Sequence, residues 1–176
     1  SGDPPPRDET WPTGGIESSH YSVDKAAQEE ALDRFEAAHP DITVTRLRPG
    51  LKFQAEAASE IQRYFLGEHV PVQLLGHGKP PALPLPRGLV FQAVHSDDVG
   101  RAYALAAVKG IGGAFNICAD DVVTGKDVAD ILGKGRTVEL PVATVRAALA
   151  AAYRTGAVAA DPGWIDKIGR ASCRER

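Results

Sequence analysis

Apolar residues recur at four-residue steps across 20–38 (Val23, Ala27, Ala31 and Phe35), with Ala26 and Leu32 beside them. Gln28, Glu29, Asp33 and Glu36 occupy the other side. One apolar stripe at a helical period predicts an amphipathic helix. Ser18 or Ser19 is available as its N-cap, and His39-Pro40 stops it, because the residue before a proline avoids the α region. The period then changes. Residues 42–48 (ITVTRLR) are rich in β-branched side chains and read as a strand, ended by Pro49-Gly50. Residues 55–66 read as a helix, 70–75 (VPVQLL) as a short strand, and 76–88 as a Gly/Pro-rich loop. Residues 89–95 (LVFQAVH) form the next strand, and 97–109 a helix capped by Asp97 or Ser96. A GIGG turn (110–113) leads to a strand at 114–118 (AFNIC), and Thr124 caps a helix over 124–132. TVEL (137–140) is a short strand, and 141–155 an Ala-rich helix with Pro141 in its first turn. Residues 1–17 are turn-forming and irregular. Strands and helices alternate over short connections, which predicts the α/β class with substantial parallel pairing.

Composition sharpens this only by exclusion. Among 176 residues there are 20 Lys+Arg against 23 Asp+Glu, a net charge of −3, and 43% are hydrophobic. These are ordinary globular values, so disorder, collagen and coiled coil fall away. A mildly acidic chain with no basic tract points to no nucleic-acid partner. No run approaches the roughly 18 apolar residues of a membrane span, and no charged-then-apolar leader suggests export. The expectation is a soluble, cytoplasmic protein without a membrane partner. Cys118 and Cys173 are too few for a disulfide scaffold. The chain holds no Met and starts at Ser1, so a preceding segment is expected to be missing.

Candidate chemistry begins at the first helix. Tyr21 and Lys25 are one turn apart and share a face. A Tyr phenol titrates near about pH 10 unaided. A neighbouring ammonium favours the phenolate and tunes the group for proton transfer to or from an alcohol or carbonyl oxygen. The pair alone also fits an ordinary solvated helix face. Pro49-Gly50 by itself reads as a turn after a strand. His95 reads as a satisfied helix-start residue, and Asp97 and Asp98 as helix N-terminal charges. These three could imitate metal ligands, but no second cluster completes a site, so no metal is expected.

Four ordered blocks carry a resemblance: DETWPTGGIESSHYSVDKAAQEE (8–30), TRLRPG (45–50), VFQAVHSDDVGRAYALA (90–106), and GGAFNIC (112–118) followed by VTGKDVADILG (123–133). Together they are similar to the extended short-chain dehydrogenases/reductases, the NAD-dependent epimerase/dehydratase group, over nearly the whole chain to about residue 166. The resemblance implies an α/β fold, the C-terminal half of an extended Rossmann-type enzyme whose N-terminal dinucleotide-binding half is missing. Residues 1–54 would end the NAD(P)-binding core, and 55–166 would form the substrate-side region. Tyr21 would be the catalytic acid/base and would also border the cofactor. Lys25 would hold the nicotinamide ribose hydroxyls and assist Tyr21. Pro49, Gly50 and Leu51 would face the nicotinamide, largely through backbone. Asn116 would lie near the substrate, a hydrogen-bonded structural Asn being the other reading. The cofactor would be NAD or NADP, the partner a small-molecule substrate such as a nucleotide sugar, and the Tyr helix a face for a homodimer. The parent would be an epimerase/dehydratase-type oxidoreductase, with a carbonyl or alcohol reductase, or a non-catalytic NAD(P) sensor, as alternatives. The fragment by itself would be inactive and prone to aggregate through Val23, Ala27 and Phe35.

Three departures qualify the resemblance. The G-x-G-x-x-G fingerprint that cradles a pyrophosphate after a first strand is absent. Sugar-nucleotide epimerases of the group often carry a phosphate-gripping Arg four residues before the block His, where this chain has Phe91; Arg87 is the nearby substitute. Finally, KIGRASCRER (167–176) resembles the translated adapter of short-read sequencing, which makes it a non-native tail to be left out of fold reasoning.

Overall fold

The computed structural model describes residues 8–59, 63, 64, 67 and 80–167. The expected 70–75 strand lies outside those residues, as does the expected 167–176 tail apart from Lys167. Helix α1 spans His20–Ala38, as its periodicity predicts. Ser19 is its N-cap, accepting a hydrogen bond from the Ser22 amide, and His39 closes it through a bond from its own amide to the Phe35 carbonyl. Strand β1 follows at Thr45–Pro49.

Pro49-Gly50 ends β1, as expected, but no loop follows. The chain resumes as β2 (Leu51–Phe53), and Gly50 is where it changes partners. β1 pairs in parallel with β5 (Gly113–Ile117), while β2 pairs in parallel with β4 (Val90–His95). The Gly50 amide donates to the Ile117 carbonyl at 2.9 Å. A Cβ at Gly50 would stand 2.8 Å from the Gln92 carbonyl oxygen, closer than packing allows. Gln92 itself is buried, and its side-chain amide donates to the Ala119 carbonyl at 3.2 Å. Gly50→Ala is therefore expected to cost about 1–3 kcal/mol, the usual range for overpacking a close contact. A lower urea midpoint would show it, and an unchanged midpoint would contradict it.

A second correction falls in the Gly/Pro-rich segment. Residues 83–86 (LPLP) are not loop but strand β3 (Leu83–Pro86), paired in parallel with β7 (Thr137–Leu140). The prolines sit at alternate positions, so their missing N–H groups fall on the side away from β7. The Leu83 and Arg87 amides, on the other side, donate to the Arg136 and Leu140 carbonyls at 2.9 and 2.8 Å. Proline is tolerated where the ladder to the neighbouring strand does not use its N–H. A further unexpected strand, β6 (Val122–Thr124), pairs antiparallel with β4.

Helix α2 (Ser96–Lys109) is capped by His95, not by Asp97 or Ser96; its ring nitrogen accepts the Asp97 amide. The expectation that His95 is a satisfied helix-start residue holds, with Asp97 and Asp98 in the first turn. Helix α3 (Gly125–Leu132) has the expected Thr124 cap, completed by Asp127 into a capping box. In helix α4 (Val142–Arg154), Pro141 stands at the cap position just before the first turn. Residues 55–66 open with a 3-10 turn at Ala55–Ala57; Ala58, Ser59, Arg63 and Tyr64 are helical. A last 3-10 turn, Pro162–Lys167, packs on α4. Buried apolar positions are Leu83, Val94, Val99, Cys118, Ala129 and Ala160. Cys118 is buried, as expected of a core position.

Helix α1 buries no residue, and Val23 and Phe35 are 45% and 40% exposed, which leaves that apolar face bare as expected. Its half-covered positions are Ser22, Ala26, Glu29, Leu32 and Glu36, with the acidic ones turned towards β1. The apolar stripe faces outward because charge, not burial, docks this helix onto its strand. No helix among the described residues is long and apolar enough to cross a membrane.

Candidate active site

Two arginines on β1 position the helix. Arg46 and Arg48 are two residues apart, so their side chains leave the strand on one face. Arg46 is only 8% exposed. It donates to Glu29 at 3.1 Å, to Asp33 at 2.6 Å, and to Glu36. Arg48 grips both carboxylate oxygens of Glu29, at 2.8 and 2.7 Å. Such a fork is a strong, directional contact. The Arg48 hydrogen bond is the main cause holding the Glu29 carboxyl below its ordinary value; burial opposes it and Arg46 reinforces it. A depressed folded-state value means that the stabilisation is complete above the unfolded value of 4.5 and is lost as pH falls through the folded value. In Glu29→Gln the acid limb of stability against pH should flatten below about pH 4.5. An unaltered limb in acid titration followed by circular dichroism would refute this.

The pairings also set direction. Glu29 meets Arg48, while Glu36, further along α1, meets Arg46, earlier on β1, so helix and strand run antiparallel. Lys25 and Tyr21 precede Glu29 by one and two turns, roughly 6 and 12 Å along the axis. They therefore lie towards the carboxyl end of β1, where Pro49, Gly50 and Leu51 continue the strand at about 3.3 Å per residue. That is the end of a parallel α/β sheet where ligands bind. Pro49, Gly50 and Leu51 are all half-buried. The close approach at Gly50 is to the Gln92 backbone, so strand packing accounts for the glycine there.

Tyr21 is 47% exposed. The Lys25 ammonium lies 5.7 Å from its ring centroid and donates to Gln28 Oε1 at 2.9 Å. The opposite end of the chain reaches this helix start, with the Trp164 ring 5.2 Å from the Tyr21 ring. Residues 8–17 close back on the same region: the Ile16 amide donates to Ser22 Oγ at 2.9 Å. Glu9 joins the two parallel strands, its carbonyl accepting from Arg48 and its carboxylate from the Asn116 amide, both at 3.1 Å. Asn116 stands opposite Arg48 in the β1–β5 register, half-buried.

Arg87 belongs to a different layer. It follows β3, is largely exposed, and faces Glu139 of β7 at 3.6 Å. Its neighbours Pro86 and Gly88 border an open cavity of about 290 Å³ that Leu85, Leu89, Val90 and Thr124 also line. Phe91 packs near Phe53, their ring centroids 6.4 Å apart. Among the described residues no group of three His, Cys, Asp or Glu side chains could hold a metal ion.

Glu9, Arg46, Arg48 and Trp164 were missed as members of this region. For the arginines a signal existed: basic residues two apart on a strand match acidic residues spaced 29, 33 and 36 on a helix. For Glu9 and Trp164 no local pattern announces a contact.

No family model matches the chain, and no curated protein matches it. Solved structures do match in fold. The UDP-glucose 4-epimerase of Thermus thermophilus, in complex with NAD, aligns over 80% of this chain and 47% of its own, at 21% identity and a TM-score of 0.51. A structure described as gox2253 aligns over 96% of this chain and 52% of its own, at 18% identity and 0.56. MoeE5, in complex with UDP-glucuronic acid and NAD, aligns over 99% and 56%, at 16% identity and 0.53. The fold is thus the Rossmann-like α/β arrangement of these structures, and the chain spans about half the length of the structures it matches.

Proposed function

We propose that this chain supplies the acid/base part of an NAD(P)-dependent oxidoreductase site, in an enzyme of the epimerase/dehydratase type. The observation that carries the reading is the Tyr21–Lys25 pair on one face of α1, docked by Arg46 and Arg48 towards the carboxyl end of β1. In this reading Tyr21 passes a proton to or from the substrate oxygen. Lys25, whose ammonium already lies against the Tyr21 ring, holds the ribose hydroxyls of the nicotinamide half of the cofactor. Pro49, Gly50 and Leu51 offer backbone beside it. NAD, when bound, supplies the hydride acceptor and donor. The pyrophosphate cradle is not encoded in these residues, so the whole site belongs to a longer protein.

A nucleotide sugar is the first substrate class to test, since UDP-glucuronic acid is bound in a structure of the same fold. The Phe91–Phe53 contact favours a second reading, a carbonyl or alcohol reductase, because it puts an aromatic ring where an arginine would grip a diphosphate. The test uses the full-length protein with NAD and either UDP-glucose or UDP-glucuronic acid, with products followed by NMR. Epimerised or dehydrated sugar without net cofactor consumption supports the first reading. Stoichiometric NAD(P)H oxidation with simple carbonyls supports the second. Neither activity, with the protein folded, overturns both.

A further inference from the structure

The C-terminal turn is tied to the helix that carries Tyr21 by more contacts than chain closure needs. Gly163 lies so tightly on the residues before α1 that a Cβ there would stand 2.4 Å from the Ser18 carbonyl oxygen and 2.6 Å from Ser19 Cα. Ser19, the N-cap, is fully buried beneath it. Asp166 accepts a hydrogen bond from Ser18 Oγ at 2.6 Å and another from Arg146 Nε of α4 at 3.2 Å. The Ala160 amide donates to the Tyr64 carbonyl at 3.0 Å, and Ala160 is fully buried. Between these anchors Trp164 projects onto the Tyr21 ring, with centroids 5.2 Å apart and planes tilted by 33°. Its indole nitrogen donates to the Tyr64 hydroxyl at 3.0 Å, and Tyr64 meets it edge-on at 82°.

We propose that residues 160–166 form a strap that fixes the orientation of Tyr21, with Trp164 as the positioning residue. The proposal rests on the acid/base reading of Tyr21. A phenol on the exposed first turn of a helix has rotamer freedom, and proton transfer needs its hydroxyl in one place. An indole against the ring on a backbone that cannot shift, together with the Lys25 ammonium, removes that freedom before substrate arrives. In this reading Trp164 acts through Tyr21, so its loss should lower turnover and leave cofactor binding unchanged.

The experiment compares Trp164→Leu and Trp164→Phe in the full-length protein. Trp164→Leu should lower kcat about tenfold, since small misplacements of reacting groups are costly, while KM for the cofactor stays unchanged. Trp164→Phe keeps a stacking ring and should restore most of the loss. Tyrosine ring signals in NMR, with Tyr21→Phe assigning the Tyr21 resonances, give a readout independent of activity. Removing the indole ring current should move those signals in Trp164→Leu. Unmoved signals, or equal loss of kcat in both variants, would overturn the strap. If Tyr21→Phe keeps full turnover, the acid/base reading fails, and the role of Trp164 in turnover fails with it, whatever the ring signals do. If Tyr21→Phe is inactive but Trp164→Leu turns over normally, only the strap fails.

Discussion

Tyr21→Phe is expected to lower turnover of the full-length enzyme by a factor on the order of 10²–10⁴, the usual share of a positioned acid/base. The change removes one hydroxyl and keeps the ring. The contact with Trp164 at 5.2 Å and the approach of the Lys25 ammonium at 5.7 Å both involve that ring, so the start of α1 should survive intact. Cofactor affinity should hardly change, because Lys25 and the backbone of Pro49–Leu51 are untouched. Paired measurements of kcat and of NAD binding check this. Turnover near the parent value would remove Tyr21 from the chemistry, whereas equal loss of binding and turnover would mean that the residue is structural.

Arg46→Leu should produce the largest loss of stability. Arg46 is 8% exposed and faces three carboxylates, those of Glu29, Asp33 and Glu36. Breaking a buried ion pair costs about 3–5 kcal/mol because the partner charges remain. The low end, about 3 kcal/mol, applies here, since Asp33 is 68% and Glu36 37% exposed and water still reaches them. For a chain of this size that is a fall in Tm of roughly 6–12 °C. The pH dependence separates this cause from a generic packing defect. With the guanidinium gone, the remaining carboxylates repel one another, so the deficit should shrink as acid neutralises them. A deficit that stays constant between neutral and acid pH would show that the charge cluster is not what docks α1.

How much of this was legible varies by element. α1 was readable to its ends, because Ser19 and His39-Pro40 are local start and stop signals. The Thr124 cap with Asp127 three residues on was equally local. β3 was not readable: LPLP has the composition of a loop, and it becomes a strand only because β7 accepts hydrogen bonds from the non-proline positions. The N-cap of α2 was misplaced because His is a rare cap, and its ring nitrogen competes well only when the strand before it delivers it there.

The site shows the same division. Local sequence was enough to put Tyr21 and Lys25 on one helix face, to follow them with a β-strand carrying two arginines, and to alternate helix with strand. Those properties depend on residues within a turn or two of each other. Which face of α1 meets the sheet was left open. The apolar stripe at Val23, Ala27, Ala31 and Phe35 was legible, but not that Arg46 and Arg48 draw in Glu29, Asp33 and Glu36 on another side of the helix. Nor could local pattern bring Trp164 to Tyr21, across more than 140 positions, since nothing near either residue encodes the approach. Periodicity reports what one element can present, and the partner that accepts it is settled only when distant segments compete for the same surface.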